Sequence, residues 1–237
     1  MSQSVIGYML EIRARLLKSI LFVALVFLSL VYFAQDLYSY VATPLIVALP
    51  SGSHMIAIDV TSPLFAPFKV TLVIAFLISL PFLFYQLWAF FMPALYRQEK
   101  VLMAGILCSS TVLFYIGLAF SYFIVLPVTF DFFTSIVPME VHLATDIERY
   151  LNFVIKVFIG FGVAFEVPVV VLISCLLGIT DPANLKKMRP YFIVGAFVIA
   201  MLLTPPDVIS QLLLALPMLV LFELGVFLAV MMQRALR

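Results

Sequence analysis

Residues 70–91 read VTLVIAFLISLPFLFYQLWAFF, 22 positions without a charged side chain. A helix rises 1.5 Å per residue, so this run covers about 33 Å, roughly the hydrocarbon thickness of a bilayer. Only a helix, or a closed barrel, satisfies its own backbone polar groups there, and the run has the length of a helical span. Three more stretches qualify or nearly do, at about 19–34, 101–126 and 151–177. A fifth, 191–203, and a sixth, 208–232, are divided only by Thr204, Pro205, Pro206 and Asp207. The expected fold is therefore all-α and polytopic, with six transmembrane helices. The fifth measures about 20 Å and cannot cross an unperturbed bilayer upright. Either the membrane thins beside it or polar surface lies unusually deep there.

Composition agrees. Hydrophobic residues make up 65% of the 237 and charged ones 11%, which is too much apolar surface for one soluble core. The 14 prolines are scattered rather than gathered into a linker, so residues 1–237 read as a single integral membrane domain. A net charge of +1 leaves no basic excess for phosphates, which argues against a nucleic-acid partner. Cys108 and Cys175 both fall in apolar runs and read as buried thiols rather than a disulfide. Glu11, Arg13, Arg15 and Lys18 precede the first apolar run and no small-residue cleavage site follows it, so the first span is expected to be retained.

Basic residues mark the cytoplasmic side of short loops. Arg13, Arg15 and Lys18, then Arg97 and Lys100, then Lys186, Lys187 and Arg189, then Arg234 and Arg237 all fall on one side. Lys69 and Arg149 fall on the other, among the acids Asp36, Asp59, Asp131, Glu140, Asp146, Glu148 and Asp207. Both termini are thus expected in the cytoplasm. The long outer connections, 35–68 and 128–150, should include short helices, and 36–47 has the apolar spacing of an amphipathic one. No internal repeat is visible, which weakens an inverted-repeat transporter reading.

Phosphate loops, HExxH, CxxC and nucleophile elbows are all missing, so neither catalysis nor a cofactor or metal is expected. His54 and His142 stand alone in outer loops. The cytoplasmic face is more informative, because it carries Glu11 and Glu99 at the membrane boundary. Glu11 has a plain reading as the i,i+4 partner of Arg15, and Glu99 as a loop acid offset by Arg97 and Lys100. Two carboxylates beside apolar surface would also make a receptor for guanidinium groups, whose donor fork binds a carboxylate bidentately where an ammonium cannot.

Four stretches resemble the TatC family. They are LEIRARLL at 10–17, YQLWAFFMPALYRQE at 85–99, FEVPV at 165–169 and LLTPPDVISQ at 202–211. They occur in order over nearly the whole chain. Two positions depart from the family pattern: Tyr8, where many members have histidine, and Met92 before Pro93, where a small residue is usual. The resemblance implies the signal-peptide receptor of a twin-arginine translocase in the bacterial inner membrane. Its helices would curve into a concave cup, with short fifth and sixth helices. Glu11 and Glu99 would bind the paired arginines, within a patch that also takes in Arg13, Arg15, Phe90, Leu95, Tyr96 and Arg97. Met201, Thr204 and Gln211 would lie where the single-span partners TatA and TatB dock, and Pro44 would shape the outer cap. The receptor would be a homo-oligomer in its complex, powered by the proton-motive force.

Glu166 lies near the middle of the fourth span, where an ionised side chain costs at least about 2.5 kcal/mol. It reads either as a protonated or internally bonded structural acid, or as a polar site facing a concavity or a partner helix. Pro168 frees backbone groups beside it and can kink the helix. Lys156 is expected to snorkel outward, Glu223 is left open, and Asp207 suits an N-cap. A proton-coupled small-molecule transporter, with Glu166 as the carrier and Lys156 or Glu223 modulating it, is the rival reading.

Overall fold

The computed structural model describes residues 2–49, 54–91, 100–136, 144–176, 178–203 and 208–235. It is helical nearly throughout and falls into two compact units.

The first unit comprises Met1–Thr43, Ile56–Thr111 and Asp146–Glu148. Helix α1 (Ser2–Leu30) passes through a single 3₁₀ turn, Val31–Phe33, into α2 (Ala34–Ala48). The apolar run marked only the stretch that needs lipid, 19–34. The helix itself starts far earlier, because Glu11, Arg13, Ala14, Arg15 and Leu16 are all good helix formers and the Glu11–Arg15 spacing supports it. The amphipathic reading of 36–47 holds: Ala34, Val41, Ala42 and Leu45 are buried at helical spacing, and Pro44 lies within the helix.

Helix α3 (Ser62–Phe91) packs antiparallel on α1, with Phe22 stacked on Phe82 at 4.4 Å between ring centroids. Its entry is set by Asp59, which accepts the Thr61 N–H (3.4 Å) and hydroxyl (3.1 Å) through different oxygens, an Asx-type turn. Thr71 and Ser79, both fully buried, donate to the carbonyls of Pro67 and Ala75 four residues back. Hydroxyls can therefore sit in an apolar span without an unmet polar group. Near the start of α3 Lys69 meets Glu148 at 3.9 Å, and the Ile58 N–H donates to Asp146.

The second unit comprises Pro44–Met55, Val112–Thr145 and Arg149–Arg237. Helix α4 (Lys100–Phe120) widens into a π turn at Ser121–Val125 before α5 (Leu126–Ile136). Pro127 has no N–H to give the turn before it, and a π bulge absorbs that loss. Strands β1 (His54–Ile56) and β2 (Ala144–Asp146) pair as a two-stranded sheet. Helix α6 (Ile147–Phe165) is the core helix: Leu151, Val154, Val157 and Phe161 are fully buried at i, i+3, i+6 and i+10. Phe120 packs on the rings of Phe161 and Phe165, at 5.6 and 5.7 Å.

Glu166 interrupts the fourth span, and α7 (Val167–Leu176) follows it. The sequence marks this break through Pro168. Helix α7 ends on Gly178, whose φ of 67° is the left-handed value that glycine adopts without strain. The Ile179 N–H reaches the Ser174 carbonyl (3.0 Å) and the Gly178 N–H that of Cys175 (3.1 Å), a Schellman ending.

A short helix, α8 (Pro182–Lys187), leads to α9 (Arg189–Leu203) and then α10 (Val208–Ala235); α9 is short as expected, but α10, at 28 residues, is not the short sixth helix that the resemblance implied. Phe192 stacks on Phe222 at 4.1 Å, beside a core of Val171, Leu185, Phe222, Val226 and Ala229. Helix α10 presses on α7 at Gly225, where a Cβ would stand 2.8 Å from the Pro168 Cα. No larger residue fits that approach without moving backbone.

By length and composition, Met9–Ala48, Ser62–Leu87, Ala104–Ile136, Ile147–Leu176 and Gln211–Met232 can each cross a membrane, while Arg189–Leu202 is apolar but shorter. The chain is an all-α, polytopic membrane protein. Neither cysteine is disulfide-bonded. The expectation that both are buried fails for Cys108, which lies on an outward face of α4 and is exposed, whereas Cys175 packs against the Val171 core.

Candidate functional site

The end of α1 expected in the cytoplasm lies against the last turns of α3, and one guanidinium joins them. Arg15 donates to Glu11 Oε1 through Nη2 (2.7 Å) and Nε (3.0 Å). Its Nη1 donates to Gln86 Oε1 (3.3 Å), and Nη2 also reaches the Ala89 carbonyl (3.2 Å). The last carbonyls of a helix have no intrahelical donor and carry the negative end of its dipole, so a cation is well placed there. Glu11 keeps 38% of its side chain exposed and Arg15 26%.

The plain i,i+4 pairing of Glu11 with Arg15 is therefore present, but within a four-residue cluster that ties two helices. Arg13, two residues away, is exposed. The sequence reading missed Gln86. Its signal was an amide in the otherwise apolar YQLWAFF run that ends α3. Phe90 falls on that last turn, and Leu95, Tyr96, Arg97 and Glu99 lie outside the described residues.

A second candidate region is a cavity of about 1020 Å³ within the second unit. Its wall is mostly aliphatic and aromatic, drawn from α6, α7, α8, α9 and α10, with Glu166, Ser174, Thr180 and Tyr191 as its polar members. Glu166 is half-buried and stands at the α6–α7 break. The Glu166 N–H reaches the Val163 carbonyl at 3.1 Å, a tighter turn than the helix on either side. The broken helix thus aims a carboxyl at an apolar concavity. Lys156 is exposed and does not line it.

Glu223, left open by the sequence, is held by Arg189: Nη2 to Oε2 is 2.6 Å, with both side chains nearly half exposed. The pair links the start of α9 to the middle of α10. Gln211 reaches across the same two helices, its Nε2 donating to the Phe197 carbonyl at 3.0 Å. That amide is committed within the chain, leaving its oxygen for any partner. Met201 is exposed near the end of α9, and Thr204 and Asp207 lie outside the described residues.

Residues 8–217 match the family model for the Sec-independent protein translocase protein TatC. Among curated proteins, the Sec-independent protein translocase protein TatC of Escherichia coli (strain K12) is 53% identical over 226 residues, covering 95% of this chain and 88% of its own. The protein of the same name from Haemophilus influenzae (strain ATCC 51907 / DSM 11121 / KW20 / Rd) is 51% identical over 228 residues, covering 96% and 89%. A crystal structure described as the twin-arginine translocase receptor TatC superposes with a TM-score of 0.83 at 35% identity, over 94% of this chain and 98% of that one. A family model spanning most of the chain, close relatives over nearly their full length and the same arrangement of helices agree, and the chain belongs to the TatC family of Sec-independent protein translocase proteins.

Proposed function

We propose that this chain is the receptor subunit of a twin-arginine translocase. It binds the paired arginines of signal peptides on folded precursor proteins at the cytoplasmic face. With the single-span partners TatA and TatB, and in more than one copy per complex, it passes those precursors across the bacterial inner membrane on the proton-motive force. It is a single six-span membrane domain with both termini in the cytoplasm. Glu11 and Glu99 supply the carboxylates, with Arg13, Arg15, Phe90, Leu95, Tyr96 and Arg97 around them. Met201, Thr204 and Gln211 serve partner docking, Pro44 and Asp207 shape the outer side, and Glu166 is the intramembrane polar site.

The observation that carries this reading is the seat at the α1–α3 end. There a half-buried carboxylate already holds a guanidinium through two donors, the chemistry a twin-arginine ligand needs. Family membership supports the rest. The test is cross-linking or titration with a signal peptide. The double substitution Glu11→Gln and Glu99→Gln should abolish binding, and a twin-lysine peptide should bind far more weakly than the twin-arginine one. Unchanged binding in the double variant would overturn the receptor reading.

A further inference from the structure

The seat around Arg15 is made wholly of acceptors: Glu11 Oε1 on α1, Gln86 Oε1 on α3, and the Ala89 carbonyl where α3 ends. A guanidinium spreads its donors over a fixed planar fork, so separate nitrogens reach these three oxygens at once, where an ammonium has a single nitrogen. Arg15 applies Nε, Nη1 and Nη2 to them. Capping α3 would need only the Ala89 carbonyl. The contacts to Glu11 and Gln86 go beyond a cap and engage the whole donor fork.

We propose that Arg15 is an internal stand-in for the ligand: it occupies the guanidinium seat when no signal peptide is bound, and an incoming arginine exchanges with it. The inference rests on the receptor reading given above. Among the described residues Glu11 Oε2 takes no hydrogen bond, so an arriving guanidinium has a first foothold there. Exchange then moves the same carboxylate from one fork to another. Because one charge-assisted set replaces a like set, the net gain is small. Arg13, Arg15 and Lys18 also oppose a dicationic ligand on this stretch, with Glu11 as its only acid. Both effects hold affinity down and keep release fast, as a receptor that must hand its cargo onward requires. Arg15 is thus a specificity-setting residue: a side chain that cannot match its fork does not displace it.

The experiment titrates a synthetic signal peptide carrying an Arg-Arg pair against the full chain in lipid nanodiscs. Arg15→Gln removes the competing fork and should tighten binding by about three- to ten-fold through slower dissociation, the size expected for losing a part-buried charged competitor. It should also shrink the preference for twin-arginine over twin-lysine peptides. Unchanged or weaker binding in a variant that melts like the parent would overturn the proposal. Should Arg15→Gln fold poorly, Arg15→Lys keeps a cation there without the fork and leaves every acceptor of the seat in place, and should tighten binding by about two-fold; no gain there would overturn it equally. The double variant Glu11→Gln with Glu99→Gln separates the two levels. Full affinity there sinks the receptor reading, whereas lost affinity there with no gain in Arg15→Gln sinks the stand-in alone.

Discussion

Glu166 shows what one residue can do to a span. Its carboxyl sits where α6 stops and α7 begins, next to a proline that gives no N–H to the turn behind it, and faces an apolar cavity of about 1020 Å³. An ionised carboxylate near the middle of a span costs at least about 2.5 kcal/mol, so its surroundings have to offset that charge. Glu166→Gln keeps the shape and removes the charge. We expect signal-peptide binding at the cytoplasmic face to survive and transport, or assembly with the partner helices, to weaken. Loss of peptide binding in that variant would show that Glu166 belongs to the recognition site instead, and loss of a proton-coupled small-solute flux would favour the transporter reading. The break was legible in Glu166, Val167 and Pro168, two residues apart from end to end. The Glu11–Arg15 pair was legible too, since i,i+4 spacing states it. Gln86 was not singled out, because a lone amide in an apolar run carries no periodic signal and gains meaning only when another helix meets it.

At the scale of elements, α9 and α10 form an antiparallel pair tied at both ends. Gln211 bonds the Phe197 carbonyl near the turn, and Arg189 pairs with Glu223 at the other end. Sequence reasoning found both helices and the shortness of α9, but it could not assign Glu223, because its partner lies 34 residues away. Both side chains of this ion pair are nearly half exposed, so losing one partner costs little. Arg189→Ala should therefore destabilise the chain by about 1 kcal/mol, read as a lower melting temperature in detergent. Adding Glu223→Leu should restore most of that loss. If the double variant melts no higher than the single one, the pair is not what holds α9 in place. Helix α1 shows the opposite limit of sequence reading: hydropathy marked 19–34, the part that needs lipid, while the helix itself runs from Ser2 to Leu30.

For the whole molecule, the proposed orientation rests on the sidedness of Lys and Arg, with ten of them assigned inside and two outside. Single cysteines in a variant lacking Cys108 and Cys175 test this. A thiol at His54 should react with a membrane-impermeant maleimide in intact cells, and one at Lys187 only after the inner face is opened. The reverse pattern would invert the topology. The number of fully spanning helices was the least legible property at this scale, because α9 has the hydropathy of a span without its length.

That mismatch has a physical consequence. Helix α9 is about 22 Å long and α10 about 42 Å, at 1.5 Å per residue. The Arg189–Glu223 bond fixes the charged foot of α9 to a level at which α10 still has about 18 Å left to run, from Glu223 to Ala235. Next to it stand Lys186 and Lys187, both exposed. Charges so placed draw water and lipid head groups inward along that side of α10. In the proposed orientation such a notch would lie in the inner leaflet, and a segment entering from the cytoplasm would meet a shallower apolar barrier there.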